Sequence, residues 1–487
     1  MRVILLFWIF ALLGLGACGS GEMVGGPLPL LIESAVEGDD WDEINKDVPD
    51  TPGILMNGSP VMIRVLINTS NFSSRVHERV EITATGDFIV RGGGVLGGGS
   101  EWRFSGGEIF TLRDAGDLAG YARFYIQPVT DYYRLEIVGL GRNWPNGAYP
   151  RYRGRLEISP FAGGFIVINA LALEEYLYAV VPSEMPSYFG LESSKVQAIA
   201  ARSFAYRQLQ QGRFLAYGAD IDDSVISQVY NNLPENEISM AAVRATQGMV
   251  LTYEGQVILA NYFSTSGGTT ANAGEVWPTR EGFPGETPGF LRAGAQFDAG
   301  FATGDLRLEE NADAFFRDME VPGFERDFPW FRWQVRMSAE ELAASINAGL
   351  RQREGPSGGI GYVYNLEITR RGQGGNAMEL LISGTDATAR VETEFVIRSL
   401  LAPRNSRITL NNGNTLNGMA MMPSAFFTME MERDVFGALT AVTFFGGGHG
   451  HGVGMSQNGV RALLNRGHSY IAVLAHFYPG TEVVRVW

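Results

Sequence analysis

Between Gly446 and Gln457 the chain reads Gly446-Gly447-Gly448-His449-Gly450-His451-Gly452-Val453-Gly454-Met455-Ser456-Gln457. Glycine at nearly every second place strips side chains from the backbone and adds conformational entropy that folding must overcome. A globular core gains nothing from such a run. It belongs where something has to approach the main chain closely, so it marks a site. Four of the five histidines lie in the last forty residues, at His449, His451, His468 and His476.

At 487 residues the chain has room for two or three domains and a sizeable core. Its 62 glycines imply many turns, with no collagen-like or low-complexity run to absorb them. A formal net charge of −15 argues against a nucleic-acid partner, which calls for a basic patch. For the same reason a polyanionic substrate has to be met in a locally favourable groove.

Met1-Arg2 is followed by an apolar stretch from Val3 to Leu15 and then by Leu15-Gly16-Ala17-Cys18. A basic start, a short apolar run and small residues before a cut describe an export signal, too short for a membrane span. The ending matches a bacterial lipobox, so residues 1–18 read as a lipoprotein signal with Cys18 as the lipidated residue. The expected product is exported and lipid-anchored in the cell envelope. Cys18 is the only cysteine. Disulfides, thiolate nucleophiles and cysteine-based zinc sites are thereby excluded from the mature chain.

Residues 19–60 are rich in Gly, Pro, Asp and Glu and read as an acidic linker. Residues 61–160 read as a β-rich accessory region. Val80-Glu81-Ile82-Thr83-Ala84-Thr85 and Arg134-Leu135-Glu136-Ile137-Val138 alternate with period two, and glycine-rich turns separate them. From residue 161 to 487 the pattern becomes mixed, so the fold class is α+β. A strand at Phe165–Asn169 precedes a helix over Leu171–Val181, which Pro182-Ser183-Glu184-Met185-Pro186 interrupts. A long helix over Leu191–Gln211 follows, with Val196, Ile199, Ala200 and Phe204 on its apolar stripe. Glu184 is thus expected in a proline-bracketed connection between two helices. Further expectations are a hairpin turning at Glu254-Gly255, a Ser338/Glu341 capping box, and helices over 393–401, 456–465 and 469–476.

Three separated motifs then carry a resemblance. The first runs from Glu174-Glu175-Tyr176-Leu177 through Val181-Pro182-Ser183-Glu184-Met185-Pro186 to Lys195-Val196-Gln197-Ala198-Ile199-Ala200-Ala201-Arg202. The second is Ser227-Gln228-Val229-Tyr230 with Tyr262-Phe263-Ser264-Thr265-Ser266-Gly267-Gly268. The third is Gly450-His451-Gly452-Val453-Gly454-Met455-Ser456-Gln457 with His476-Phe477-Tyr478-Pro479-Gly480. In order and spacing the chain resembles the stage II sporulation protein D and amidase-enhancer family from about Phe165 to its end. The resemblance implies work on peptidoglycan glycan strands. Some members are lytic transglycosylases of peptide-free strands; others stimulate an N-acetylmuramoyl-L-alanine amidase. The family's essential glutamate maps to Glu184. The chain departs from the family in carrying His449 where tryptophan is frequent. It also has no cysteine near Val225-Ile226-Ser227-Gln228, which speaks against the zinc site associated with some members.

Such chemistry asks for one carboxyl that first protonates the leaving oxygen and then takes the proton of the sugar's own hydroxymethyl group. It departs from the two-carboxylate plan of hydrolytic glycosidases. Lys195 and Arg202, seven apart on one helix face with Gln197 beside them, are candidates to hold the glycan's lactyl carboxylate. Arg202 has the alternative of pairing with Glu175 or Glu184. His451, Ser456, Gln457, Ser264, Ser266, Gln228, Tyr230 and His476 are the remaining candidate sugar contacts, with Tyr262 and Trp277 as stacking surfaces. Ser264 and Ser266 lack the Gly-x-Ser-x-Gly elbow of a serine nucleophile. His449 and His468 read as exposed, and the His-Gly-His spacing is not a structural zinc pattern. No organic cofactor is implied. The alternatives are a glycan-binding lipoprotein that stimulates an amidase without cutting, a structural link between membrane and wall, and a conventional hydrolase.

Overall fold

A computed structural model describes residues 60–487 apart from 95–99, 115–116, 118–119, 143–148 and 354–358. The signal segment, Cys18 and the linker up to residue 59 lie outside the described residues. The fold is α+β, as expected, with its N-terminal part rich in strands. Among the described residues, one compact unit runs to Met249 and takes in Arg485–Trp487; the other is Val250–Val484.

The first unit is built on a seven-stranded sheet. Its strands run in the order Ile221–Asp222, Met62–Leu66, Gly164–Ala172, Arg155–Phe161, Tyr121–Pro128, Phe88–Gly94, Ser100–Phe104. Only the Met62–Leu66 pairing with Ile221–Asp222 is parallel. The break expected near residue 160 falls inside this sheet. Ala162 and Gly163 both take positive φ, 47° and 85°, and fold Gly164–Ala172 back onto Arg155–Phe161, with Gly164 opposite Phe161 and Ala170 opposite Arg155. Residues 61–160 are therefore part of the unit that carries Glu184, and the chain divides at Met249 instead. A second sheet, ordered Phe110–Leu112, Val80–Ala84, Leu135–Ile137, Arg151–Tyr152, completes the strands of this part.

Two helices follow the sheet. The first, Leu173–Glu184, passes straight through the point where an interruption is expected. Pro182 lies inside it and Glu184 is its last residue. The reason is local: Val181 is already the acceptor of the Met185 N–H that closes the last turn, and Ser183 Oγ donates to Ala179 O at 2.6 Å. The second helix, Leu191–Gln211, matches its expected span and stops at Gly212 in the left-handed region, φ 68°. Val196, Ile199, Ala200 and Phe204 are buried along its stripe.

Arg202 joins these helices to the end of the unit. Its Nε and Nη2 donate to Glu174 at 2.8 and 2.7 Å, and Nη1 donates to Met249 O at 3.1 Å. Glu174 Oε1 also accepts from Gly248 N. The guanidinium is fully buried and Glu174 keeps 17% of its surface. Removing one partner of a buried pair costs about 3–5 kcal/mol; because Glu174 reaches water, Arg202→Met is expected to cost about 2 kcal/mol instead. A urea melt of the two proteins checks this, and coincident curves would show that the pair contributes nothing.

The second unit centres on a five-stranded sheet ordered Thr415–Asn417, Arg407–Leu410, Trp333–Ser338, Leu439–Gly446, Phe427–Arg433. Its core gathers Val335, Met337, Leu342, Ile346, Leu380, Ile382, Phe427, Val442 and Phe444. Helix Ala339–Gln352 starts at the expected cap, where Ser338 Oγ accepts from Glu341 N at 3.1 Å. Glu341 does not return the bond. Its carboxylate accepts from Asn405 N and Ser406 Oγ, so half of the capping box is traded for a tertiary contact. The expected turn at Glu254-Gly255 forms with both residues at positive φ, 50° and 79°. Its second strand ends at Val257.

Candidate functional site

In the first unit, Glu184 ends its helix with only 5% of its surface exposed. One carboxylate oxygen, Oε1, accepts from Val229 N at 2.7 Å. The residues on either side of Val229 are what aim that N–H. Gln228 donates from Nε2 to Ala201 O at 3.3 Å and accepts on Oε1 from the Tyr176 hydroxyl at 3.2 Å. Tyr230 is buried, stacks on Tyr176 with ring centroids 4.9 Å apart, and donates to Asn169 Oδ1 at 2.6 Å. Burial, together with the nearby Glu184 carboxylate, pushes the Tyr176 phenol well up, so it remains a donor. Asn231 then takes φ 56° and turns the chain. Ser183 Oγ accepts from Asn232 N and Leu233 N at 3.0 and 3.1 Å, tying the far end of the same segment to the helix.

Gln228 and Tyr230 are thus fastened inside the protein and hold the segment that faces Glu184, where sugar contacts are expected of them. Arg202 pairs with Glu174, not with Glu175 or Glu184. Its burial removes it from the candidates for a substrate carboxylate. Lys195 Nζ bonds Glu192 at 2.6 Å one turn away. The Gln197 side chain is wholly buried, and its amide hydrogen-bonds to no described protein atom.

In the second unit the glycine run meets the serine-threonine loop. Met455–Ser456 pairs in parallel with Tyr262–Phe263, and Thr265 bridges His449 through two backbone hydrogen bonds of 2.8 and 3.1 Å. What approaches the glycines so closely is this other loop of the same chain. A β-carbon on Gly267 would lie 2.6 Å from the Gly447 carbonyl carbon, and one on Gly454, at φ 76°, 2.2 Å from Asn261 O. The expectation that a ligand lies against the bare backbone is corrected at these two positions.

His451 is 2% exposed. Its Nδ1 accepts from Val453 N at 3.0 Å, which leaves the proton on Nε2 to donate to Tyr262 O at 3.1 Å. Phe263 and Trp277 pack against the ring at 5.6 and 5.1 Å. His449, expected on the surface, is buried against Trp330 with ring centroids 4.6 Å apart. His476 Nε2 meets Gln296 Oε1 at 2.9 Å, while His468 is exposed as expected. Ser264, Ser266, Ser456 and Gln457 are all buried. Ser456 caps the helix Gln457–Asn465, accepting from Gly459 N at 3.2 Å.

Sequence reasoning misses the residue that joins these loops. Glu325 is fully buried. Its Oε1 accepts from Ser266 Oγ at 2.6 Å, and its Oε2 accepts from Ser266 N at 2.9 Å and Ser456 Oγ at 2.7 Å. Burial raises its pKa from 4.5 to about 7 against the pull of those three bonds. In the sequence it stands in Phe324-Glu325-Arg326-Asp327, beside other charges and outside every motif, so nothing local singles it out. Among the described residues, no group of three or more His, Cys, Asp or Glu side chains is placed to hold a metal ion. No helix among them is long and apolar enough to cross a membrane.

Comparison with known proteins places a family match on the first of these two groups. Residues 162–253 match the stage II sporulation protein family, and residues 295–454 match a domain of unknown function. The chain is 27% identical over 315 residues to the amidase enhancer of Bacillus subtilis, covering 63% of this chain and 40% of that protein. It is 26% identical over 330 residues to stage II sporulation protein D of the same organism, covering 65% of this chain and 75% of that one. An uncharacterized protein of Brachyspira hyodysenteriae is 25% identical over 336 residues.

Proposed function

We propose that this member of the stage II sporulation protein D and amidase-enhancer family is a lytic transglycosylase of peptide-free peptidoglycan strands, with Glu184 as its acid and base. It would cut between N-acetylmuramic acid and N-acetylglucosamine and leave 1,6-anhydro-muramic ends. The observation that carries the reading is the setting of Glu184. A carboxyl closes a helix at 5% exposure, with one oxygen fixed by the Val229 N–H and that N–H fixed in turn by Gln228 and Tyr230. Orientation of this kind is what a single carboxyl needs if it is to give a proton to the leaving oxygen and take one from the attacking hydroxyl. On the neighbouring helix only Lys195, which keeps 19% of its side chain in solvent beside Glu192, remains to be offered to the strand; Gln197, like Arg202, is buried. Export, with lipid on Cys18, would put the enzyme where its polymer is.

A second reading keeps the glycan and removes the cut: the protein binds strands and stimulates an amidase. It is favoured by the burial of His451, Ser264, Ser266, Ser456 and Gln457, which build loops and leave fewer groups for chemistry, and by the amidase enhancer among the relatives. Incubating the chain from Gly19 onward with peptide-free strands and with intact peptidoglycan, and reading the products by mass spectrometry, separates the two. Anhydro ends from peptide-free strands support the enzyme. Reducing ends would make it a hydrolase, and strands bound but uncut would move the protein to the amidase-stimulating class.

A further inference from the structure

The face of the seven-stranded sheet that bears Glu157, partly covered by Phe214 and Tyr217, carries a charge pattern that the Glu184 reading does not use. Glu157, 1% exposed, accepts from three arginines. Arg64 reaches it with both terminal nitrogens at 2.9 and 2.7 Å, Arg123 with Nη1 at 2.7 Å, and Arg155 with Nε at 2.8 Å. Burial alone would raise the Glu157 carboxyl; the guanidiniums of Arg64 and Arg155 outweigh it and hold the group below its ordinary range. One arginine suffices to neutralise a buried carboxylate, and Arg64 already grips both oxygens. Arg123 and Arg155 are in surplus, with 29% and 48% of their side chains in solvent.

The surplus continues along the face. Arg155 lies over the Tyr125 ring at 5.4 Å. Arg64 Nε donates to Gly218 O, next to Tyr217, whose ring lies 5.4 Å beneath the Arg75 guanidinium. Asp220 accepts from Arg64 N at 2.8 Å, and farther along the same face Glu101 accepts from Arg91 and Arg103, so arginines outnumber carboxylates throughout. Asp222 also faces Arg75, from inside the unit. In a chain of net charge −15, a local excess of guanidinium interleaved with tyrosine is the locally favourable surface that a polyanion requires. Strand alternation sets this face apart from Glu184. Glu157 pairs with Ile168, and the next residue, Asn169, points to the opposite face, where it holds Tyr230.

We propose that this arginine face is a second binding site, distinct from Glu184, for the free lactyl carboxylates of a peptide-free glycan strand. The proposal rests on the strand being the polymer this protein handles, not on its being cut. Guanidinium forks recognise carboxylates in pairs of hydrogen bonds, and tyrosine rings suit the sugar faces between them. A strand still carrying stem peptides has its lactyl groups tied up as amides, so the face would favour stripped strands. The role expected of Arg202, which is buried against Glu174, would fall to Arg123 and Arg155.

The test is direct binding, measured with Glu184→Gln protein so that no turnover intervenes. The double variant Arg123→Gln/Arg155→Gln keeps the Arg64 pair on Glu157 and should melt as its parent does. Its affinity for peptide-free strands is expected to fall about tenfold at low salt, while strands whose carboxyls have been converted to amides bind both proteins equally. Equal binding of the carboxylate strands by the two proteins would overturn the proposal. So would polyphosphate displacing the strands at far lower concentrations of charge, which would assign the face to a phosphate-bearing polymer. Should the double variant lose thermal stability, Arg155→Gln alone, at the most exposed of the three, is read in the same way. A parent that binds strands through this face yet forms no anhydro ends would leave the inference standing and remove the transglycosylase reading alone.

Discussion

Glu184→Gln is expected to fold as the parent does and to lose about a thousandfold or more in the release of anhydro ends, the range covered by a single general acid. The two halves of this expectation come from different atoms. Folding depends on the oxygen that accepts from Val229 N at 2.7 Å, and a glutamine amide keeps an oxygen there. Proton transfer depends on the carboxyl's second protonation state, which the amide does not have. Glu184→Ala separates the two in the opposite sense. It leaves the Val229 N–H buried without this acceptor, at a cost of about 1–3 kcal/mol, and it loosens the segment that Gln228 and Tyr230 hold. The alanine variant should therefore lose both stability and turnover, and the glutamine variant turnover alone. Product counts and thermal midpoints measured on one set of samples decide the matter. A glutamine variant that still cuts at a tenth of the parent rate or better would remove Glu184 from the chemistry.

Much of the first unit was legible in the sequence because its signals are local. The stripe of Val196, Ile199, Ala200 and Phe204 announces the long helix, and Gly212 ends it. In the second unit the cap at Ser338 follows from its own neighbours, whereas Ser456 and Ser469, expected as first helical residues, are the caps that precede their helices. Pro182 misled because proline is read as a break; here the helix does without its N–H, two residues from its end, and still closes its last turn through Met185 N to Val181 O. The division at residue 160 misled for a different reason. A change of pattern along the chain says nothing about which strands pair, and Arg155–Phe161 pairs across it. Arg202 shows the same limit: its choice of Glu174 over Glu175 depends on which side of a helix faces which, a matter of one residue of phase. The glycine run does mark a place of close approach, but at Gly447 and Gly454 what approaches is the chain's own backbone. Gly267 and Gly447 meet across 180 residues of chain, and no spacing rule reaches that far.

Glu325 supplies the second large effect, and its sign follows from burial. An unfolded glutamate titrates near 4.5 and this one near 7, so the folded unit holds the proton more tightly than the unfolded chain does. The stability it confers is fully present below about pH 4.5, declines as the pH rises, and is gone above pH 7, where the native state carries a buried carboxylate. A separation of that size corresponds to about 3 kcal/mol between the two limits. Ser266 N, Ser266 Oγ and Ser456 Oγ remain bonded in either state, since a glutamine or a protonated carboxyl can accept from the amide while the hydroxyls rotate to suit. Glu325→Gln should therefore match the parent near pH 4.5 and exceed it by about 3 kcal/mol at pH 8, less any hydrogen-bond strength forfeited with the charge. Urea melts of both proteins at half-unit steps between pH 4.5 and 8 measure the difference directly, and carboxylates elsewhere cancel from it. Parallel curves would mean that Glu325 is ionised at ordinary strength in the folded unit. The loops carrying Ser266 and Ser456 would then be held by a full charge through the neutral range, and the protection of the Ser266 amide relative to its intrinsic exchange rate would not rise as the pH is lowered.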